Sequence, residues 1–378
     1  MSRPLQQGAA ALLLAAVALL TSAANAQESF APRPGSSPEE IAERRLLLDE
    51  GEARLAAGDA EGARRAFDQA ARVAHAADIE LSLVRAYMQA GEYRNALALC
   101  AHAAGAHPDL PAGTALYAWL LFAGGQGRVA ATILAEAALR APDDAALIQA
   151  RASLSGPWPI ASGVLVEGPW RAAPYAWGAE VPDAGRVVGS GVLVDGGRAA
   201  LLPSSLLDQA QRVWVRNGLG QTAEATIEQR LDGVPLTLVR LGQPLTPPSG
   251  LQRAARDPFG GSPAYTLEYA PEPGGLAAWP LLRQGFFGSV RRDGGLRPLG
   301  IDVPPGPRGG PVLDVNGRLA GVAIVDAEGR DRLLPLTALA PELSALTGAA
   351  ADASNVRTPL DEIYERGLLL SLQVIVLR

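Results

Sequence analysis

The 378-residue chain contains no lysine, so all 33 of its Lys+Arg positions are arginine. This excludes lysine as a Schiff-base former, as the partner of a nucleophilic serine and as the phosphate-binding residue of a Walker loop. Histidine is nearly as scarce: His75, His102 and His107 are the three copies, and none follows residue 107. A general base poised near neutral pH is most often histidine, so the rest of the chain lacks the usual candidate. Cys100 is the single cysteine, which excludes an intramolecular disulfide and any paired CxxC motif. The formal net charge is only −6 and no basic stripe stands out, so nucleic acid is not an expected partner. No GxxxxGK[ST], HExxH or paired Asp-Thr/Ser-Gly motif occurs, and nothing calls for a cofactor.

What is present is apolar and segmented. Apolar residues make up 48% of the chain, enough for one to three domains with real cores. The opening MSRPLQQ, the apolar GAAALLLAAVALL and the small-residue TSAANA read as a signal peptide, residues 1–26, with the cut expected after Ala26 and Ala24 two positions before it. The apolar run is too short to span a bilayer, and no cysteine follows it for lipid attachment. Export to a periplasm or beyond, with no transmembrane segment after cleavage, is therefore expected. A Pro/Ser/Gly-rich linker, residues 27–37, follows.

The next region is rich in Ala, Leu, Arg and Glu, and it repeats. Gly58, Gly91 and Gly125 recur every 33 to 34 residues. Each is followed by Ala63, Ala96 or Ala130, then by Phe67, Cys100 or Leu134, then by Ala70, Ala103 or Ala137; Pro108 and Pro142 close the later copies. Small residues let paired helices approach, the larger residue fills the gap, and proline ends the second helix. The pattern resembles the tetratricopeptide repeat (TPR), and residues 38–152 are expected to be such an array. The resemblance implies a groove for a protein or peptide partner lined by Arg45, Leu48, Asp78, Leu81, Arg85, Met88, Gln89, Trp119 and Phe122. The three histidines lack metal-ligand spacing and are read as surface or packing residues, with no metal site expected.

From about Gly156 the texture changes to short β-type runs: SGVLVEG, VVGSGVLVD, RVWV, AEATIEQ, LTLVRL, AYTLEYA, GSVRR, PVLDV and LAGVAIVD. Three segments fall in the order of trypsin-like serine proteases, particularly their HtrA-type branch. Gly189–Gly197 resembles the Gly-Ser-Gly strand before the histidine turn, Val234–Leu241 the strand carrying the acid, and Gly306–Val322, beginning GPRGGPVLD, the nucleophile loop and its hairpin. The fold class expected is thus multidomain α plus β, an N-terminal helical TPR solenoid followed by a trypsin-like double β-barrel over residues 156–348.

The resemblance also shows what is missing. In that family a histidine takes the serine proton, an aspartate orients it, and backbone N–H groups hold the oxyanion. Here the base position falls on Ser205, or on Ser204 by ungapped counting; the acid position is Pro235 and the nucleophile position Arg308. No catalytic residue is assigned. The glycines around Arg308 are expected to preserve turn geometry, and Gly306 with Arg308 is a candidate anion pocket. Residues 349–378 are read as a linker, a short helix from Leu360 and an apolar strand within 367–378. That strand resembles the opening segment of HtrA-type domains, and pairing within the chain is expected over donation to a partner. The chain is expected to be an exported, non-catalytic scaffold or binding protein, with an active protease or its substrate among the conceivable partners. The alternatives are a serine endopeptidase with displaced catalytic residues and a regulatory decoy of an active protease.

Overall fold

The computed structural model of the protein describes residues 36–289, 295–350 and 356–378. The expected signal peptide, nearly all of the linker before residue 38 and most of the GSVRR run lie outside these residues.

Among the described residues, seven helices come first: α1 (Pro38–Ala56), α2 (Ala60–Val73), α3 (Ala77–Gln89), α4 (Tyr93–Ala106), α5 (Pro111–Ala123), α6 (Gly127–Arg140) and α7 (Ala145–Leu154). Ser37 and Glu40 form a capping box at the start of α1, satisfying two backbone N–H groups the helix would leave orphaned. The repeat read from sequence has a conformational basis. Gly58, Gly91 and Gly125 adopt φ of +81°, +82° and +85°, the left-handed region a side chain disfavours. Each donates its N–H back three residues, to Leu55, Met88 and Phe122, while the following residue donates back five, to Arg54, Tyr87 and Leu121. These are three copies of one Schellman ending. The residues at the repeating alanine and gap-filling positions are buried, Phe67, Cys100 and Ala96 completely. Gly51 on α1 is a close-approach position: a Cβ there would meet the Phe67 ring at 2.1 Å.

The strands build two closed barrels. The first contains β2 (Arg186–Val194), β3 (Ala199–Pro203), β4 (Arg212–Asn217), β5 (Gln221–Arg230) and β6 (Leu236–Leu241), with the short β1 (Trp177–Gly178) added parallel to β5. The second contains β8 (Pro263–Glu268), β9 (Leu281–Phe287), β10 (Arg297–Ile301), β11 (Pro311–Asp314), β12 (Leu319–Val325) and β13 (Asp331–Pro335). The order β8-β9-β10-β13-β12-β11 closes through antiparallel pairing of β11 with β8. Short β7 (Gln252–Arg253) and β14 (Ala349–Ala350) extend its β12 edge. A short helix, α8 (Pro341–Ala345), follows β13.

The first barrel is completed from far along the chain. Helix α9 (Leu360–Leu370) leads directly into β15 (Ser371–Leu377), which inserts antiparallel between β2 and β4. The closed order is β5-β4-β15-β2-β3-β6, with β6 returning to β5. Leu372, Val374 and Ile375 are completely buried. The strand pairs in cis, along both of its edges.

One run departs from its expected state. SGVLVEG forms a 3-10 turn at Gly163–Val166 followed by another at Gly168–Trp170. Gly163 and Gly168 have φ of +53° and +51°, which breaks an extended run at both places.

Helix α9 also joins the two halves. Tyr364 meets Tyr93 of α4 edge-on, with ring centroids 4.4 Å apart. Tyr364 donates to the Pro280 carbonyl at 2.9 Å and Tyr93 to the Leu120 carbonyl at 3.0 Å. One buried apolar cluster runs from the helices after α2 through the first barrel and into the second, while the first helices and the second barrel each hold a further cluster of their own.

Candidate functional site

The three positions matched to the protease triad converge on facing rims of the barrels. Pro203 pairs with Leu236, so the end of β3 and the start of β6 lie side by side. This brings Ser204 to Pro235, whose carbonyl accepts the Ser204 N–H at 3.0 Å. The Ser204 and Thr237 hydroxyls lie 2.8 Å apart. Ser205 is exposed and faces an open cleft of about 700 Å³ that it shares with Val188, Leu206, Glu272, Gly306 and Pro307. Pro235 is exposed and carries no acid.

Arg308 does not point into this cleft as a free donor. Its side chain is 4% exposed; Nε donates to Asp331 Oδ1 at 2.7 Å and NH2 to Oδ2 at 3.3 Å. The guanidinium also donates to the carbonyls of Gly306 at 2.9 Å and Val303 at 3.1 Å. The anion pocket expected of Gly306 and Arg308 is therefore corrected: the arginine already holds a carboxylate, that of Asp331, and pins its own loop. The loop is seated equally firmly on the first barrel. Gly309 has φ of +151°, and a Cβ there would lie 1.8 Å from the Ser190 carbonyl oxygen.

Beneath the loop lies a residue that sequence reasoning missed. Glu268, at the end of β8, is completely buried. Its carboxylate accepts the Gly310 N–H at 3.2 Å and the Thr266 hydroxyl at 3.1 Å. Burial pushes its pKa up to about 7, against the lowering effect of the Ser190 hydroxyl and the Arg308 charge. The Ser190 hydroxyl in turn accepts the Tyr269 N–H at 2.8 Å, linking the two barrels. The available signal was a carboxylate between Leu267 and Tyr269 in a strand with no other charged residue.

The residues expected to line a partner groove are mostly covered by this chain itself. Asp78, Leu81, Arg85, Met88, Gln89 and Trp119 are buried, Leu48 and Phe122 half-buried, and Arg45 exposed. Arg85 donates to Glu52 at 2.9 Å, and Gln89 accepts the Tyr175 N–H at 3.1 Å. The Tyr175 hydroxyl donates to Glu52 at 2.8 Å, with the Arg171 guanidinium over the Tyr175 ring. Burial favours the neutral Glu52 carboxyl, but the hydrogen bond and charge of Arg85, aided by Tyr175, hold it below the usual range. The Gly168–Trp170 turn packs on α3 and α5. Asp78 is ion-paired with Arg44. The TPR-like array suggests a protein- or peptide-binding groove, and the connector between helices and barrels covers its face at Gln89 and Glu52.

The sequence spacing hid any relation among the histidines, yet His75, His102 and His107 gather around the carboxylate of Glu80. Cys100, by contrast, is a core residue whose thiol pKa burial raises.

The tetratricopeptide repeat family matches residues 87–154, from the end of α3 through α7. No match is found among curated proteins. Three solved protease structures are similar at low identity. The MamO protease domain from Magnetospirillum magneticum, in its apo form, is 16% identical and covers 47% of this chain and 91% of that chain, with a TM-score of 0.30. An inactive-form mutant of Rv3671c from M. tuberculosis H37Rv is 18% identical over 44% of this chain and 88% of that chain, with a TM-score of 0.33. The inactive form of Rv3671c protease is 19% identical over 43% of this chain and 90% of that chain, with a TM-score of 0.34. The helical region is TPR-like, and the β-rich region is a double barrel by its own strand pairing, distantly resembling protease folds.

Proposed function

We propose that the protein is an exported, non-catalytic binding protein whose double barrel is a pseudoprotease. The observation that carries this reading is the state of Arg308: the nucleophile position holds a buried guanidinium paired with Asp331. Two further facts support it. Ser204 or Ser205 stands at the base position and Pro235 at the acid position, and no histidine follows residue 107. Glu268 has a pKa suited to proton transfer, yet it is completely buried and spent on Gly310 and Thr266. Removing the triad of such an enzyme costs on the order of 10⁶-fold in turnover.

Besides the helical groove, the inter-barrel cleft offers a partner site. Its walls, with Val188, Leu206 and Pro307 beside the polar Ser205 and Glu272, suit a short apolar peptide segment held without cleavage. Export rests on the N-terminal pattern of charged, apolar and small residues.

The test has two arms. A fluorophosphonate probe and a peptide-hydrolysis assay are expected to give no signal with the wild type or with Arg308→Ser; serine labelling with matching turnover in the wild type would establish the endopeptidase reading. Ser205→Trp, which fills the cleft from an exposed position, is expected to remove peptides that the wild type retains from a random library. Equal retention by both would sink the cleft as the binding site.

A further inference from the structure

The three histidines of this chain come from the loop before α3 and from α4 with its C-cap, yet all approach one carboxylate. His75 is in the loop between α2 and α3, Glu80 in the first turn of α3, His102 on α4 and His107 at the C-cap of α4. Paired helices of a repeat run antiparallel, so the start of α3 lies beside the end of α4. His75 Nε2 is 3.0 Å from Glu80 Oε1, and His107 Nε2 is 3.6 Å from Oε2. One ligand atom from each of His75, Glu80 and His107 lies within 4.8 Å of the other two. His102 Nε2 is 3.9 Å from Oε1.

These separations suit a metal ion. A tetrahedral ion with bonds of about 2.1 Å places its ligand atoms roughly 3.4 Å apart. The carboxylate itself supplies an independent sign. The Glu80 side chain is 7% exposed, and its Oε2 is a buried oxygen that accepts no hydrogen bond. A buried, unsatisfied carboxylate oxygen is costly. His107 Nε2, at 3.6 Å, stands beyond hydrogen-bond reach of that oxygen, whereas a cation between the oxygen and the imidazoles satisfies it. His75 and His107 are 41% and 31% exposed, so the ion has a path from solvent.

We propose that His75, Glu80 and His107 bind a divalent transition-metal ion of the zinc class, with His102 as the fourth ligand and third nitrogen donor. Imidazole and carboxylate donors favour zinc and its neighbours over calcium or magnesium, which take oxygen ligands. The site joins the exit of one repeat to both helices of the next, and the ion acts as a clip within the helical array. The inference is independent of the cleft and of the barrel's catalytic state.

The test uses the full chain, free of any affinity tag and stripped with chelator, titrated with Zn²⁺ and separately with Co²⁺. One equivalent is expected to bind, Co²⁺ giving the strong visible absorption of a four-coordinate site, with a rise in melting temperature on Zn²⁺ addition. Glu80→Gln and the partly exposed His75→Ala and His107→Ala are each expected to weaken binding by about 100-fold or more, the upper end of what even outer-shell changes cost. Should Glu80→Gln fail to fold, the two histidine variants carry the same reading. Less than one equivalent in the wild type, or unchanged affinity in His75→Ala and His107→Ala, would overturn the proposal.

Discussion

The helical and barrel halves bury apolar surface over very different sequence distances. Each of α1 to α6 packs on its neighbour in sequence, and α1, α3 and α5 end in the same glycine turn. The first barrel, by contrast, is sealed by β15, which pairs with β2 and β4 across the whole second barrel. Local packing tolerates a missing end, because each repeat depends only on its neighbours. A closed barrel does not, because one absent strand opens two edges.

Removal of residues 371–378 is the hardest test of this contrast. Leu372, Val374, Ile375 and Val376 are at most 1% exposed. At about 1.5–3 kcal/mol per buried side chain, their loss costs roughly 6–12 kcal/mol, comparable to the whole stability of a domain. Limited proteolysis is expected to degrade the barrels while a helical fragment persists; survival of both halves would refute the contrast. Arg308→Ala comes next. It leaves Asp331 unpaired, and because Asp331 is a quarter exposed the cost is at the lower end for a broken buried pair, about 3 kcal/mol in denaturant unfolding.

A pH series sharpens the comparison further. Burial keeps Glu268 protonated in the folded chain up to about 7, above its ordinary carboxyl pKa of 4.5. Between those values the unfolded chain has released a proton that the folded chain retains, so this group's contribution to stability falls as pH rises through the window and levels off above it. Glu268→Gln is expected to remove about 2–3 kcal/mol of that pH dependence, read from unfolding curves at pH 5 and pH 8. Arg94→Ala has the smallest effect. Its pairing with Glu365 joins the halves, but Arg94 is half exposed, so about 0.5 kcal/mol is expected.

The same contrast explains how much was legible in the sequence. Gly58, Gly91 and Gly125 could be aligned because each makes one local turn, and their burial partners sit at fixed offsets. The strands around Gly189, Leu236 and Pro311 were equally readable from apolar runs. Their closure was not, since no spacing along the chain reports which strand lies between β2 and β4. The partners of the candidate site residues were hidden for the same reason. Arg308 was identified at the nucleophile position, but its partner Asp331 arrives from a different hairpin. Glu268 looked like one more residue of a β-run. The groove residues from Asp78 to Trp119 were placed by repeat position, and only the fold shows Tyr175 and its connector lying over that face. The histidine cluster needed two antiparallel helices and a loop to exist at all.

The insertion of β15 also sets a timetable. Strands β2 to β5 leave the ribosome long before their missing neighbour; from Asn217 to Ser371, synthesis at about 5–20 residues per second takes roughly 8–30 s. Through that interval the facing edges of β2 and β4 await a strand not yet made, while the helices ahead of them have everything they need to pack. The barrel encoded first is therefore finished last, and a prematurely terminated chain carries an unsealed seam that marks it as incomplete.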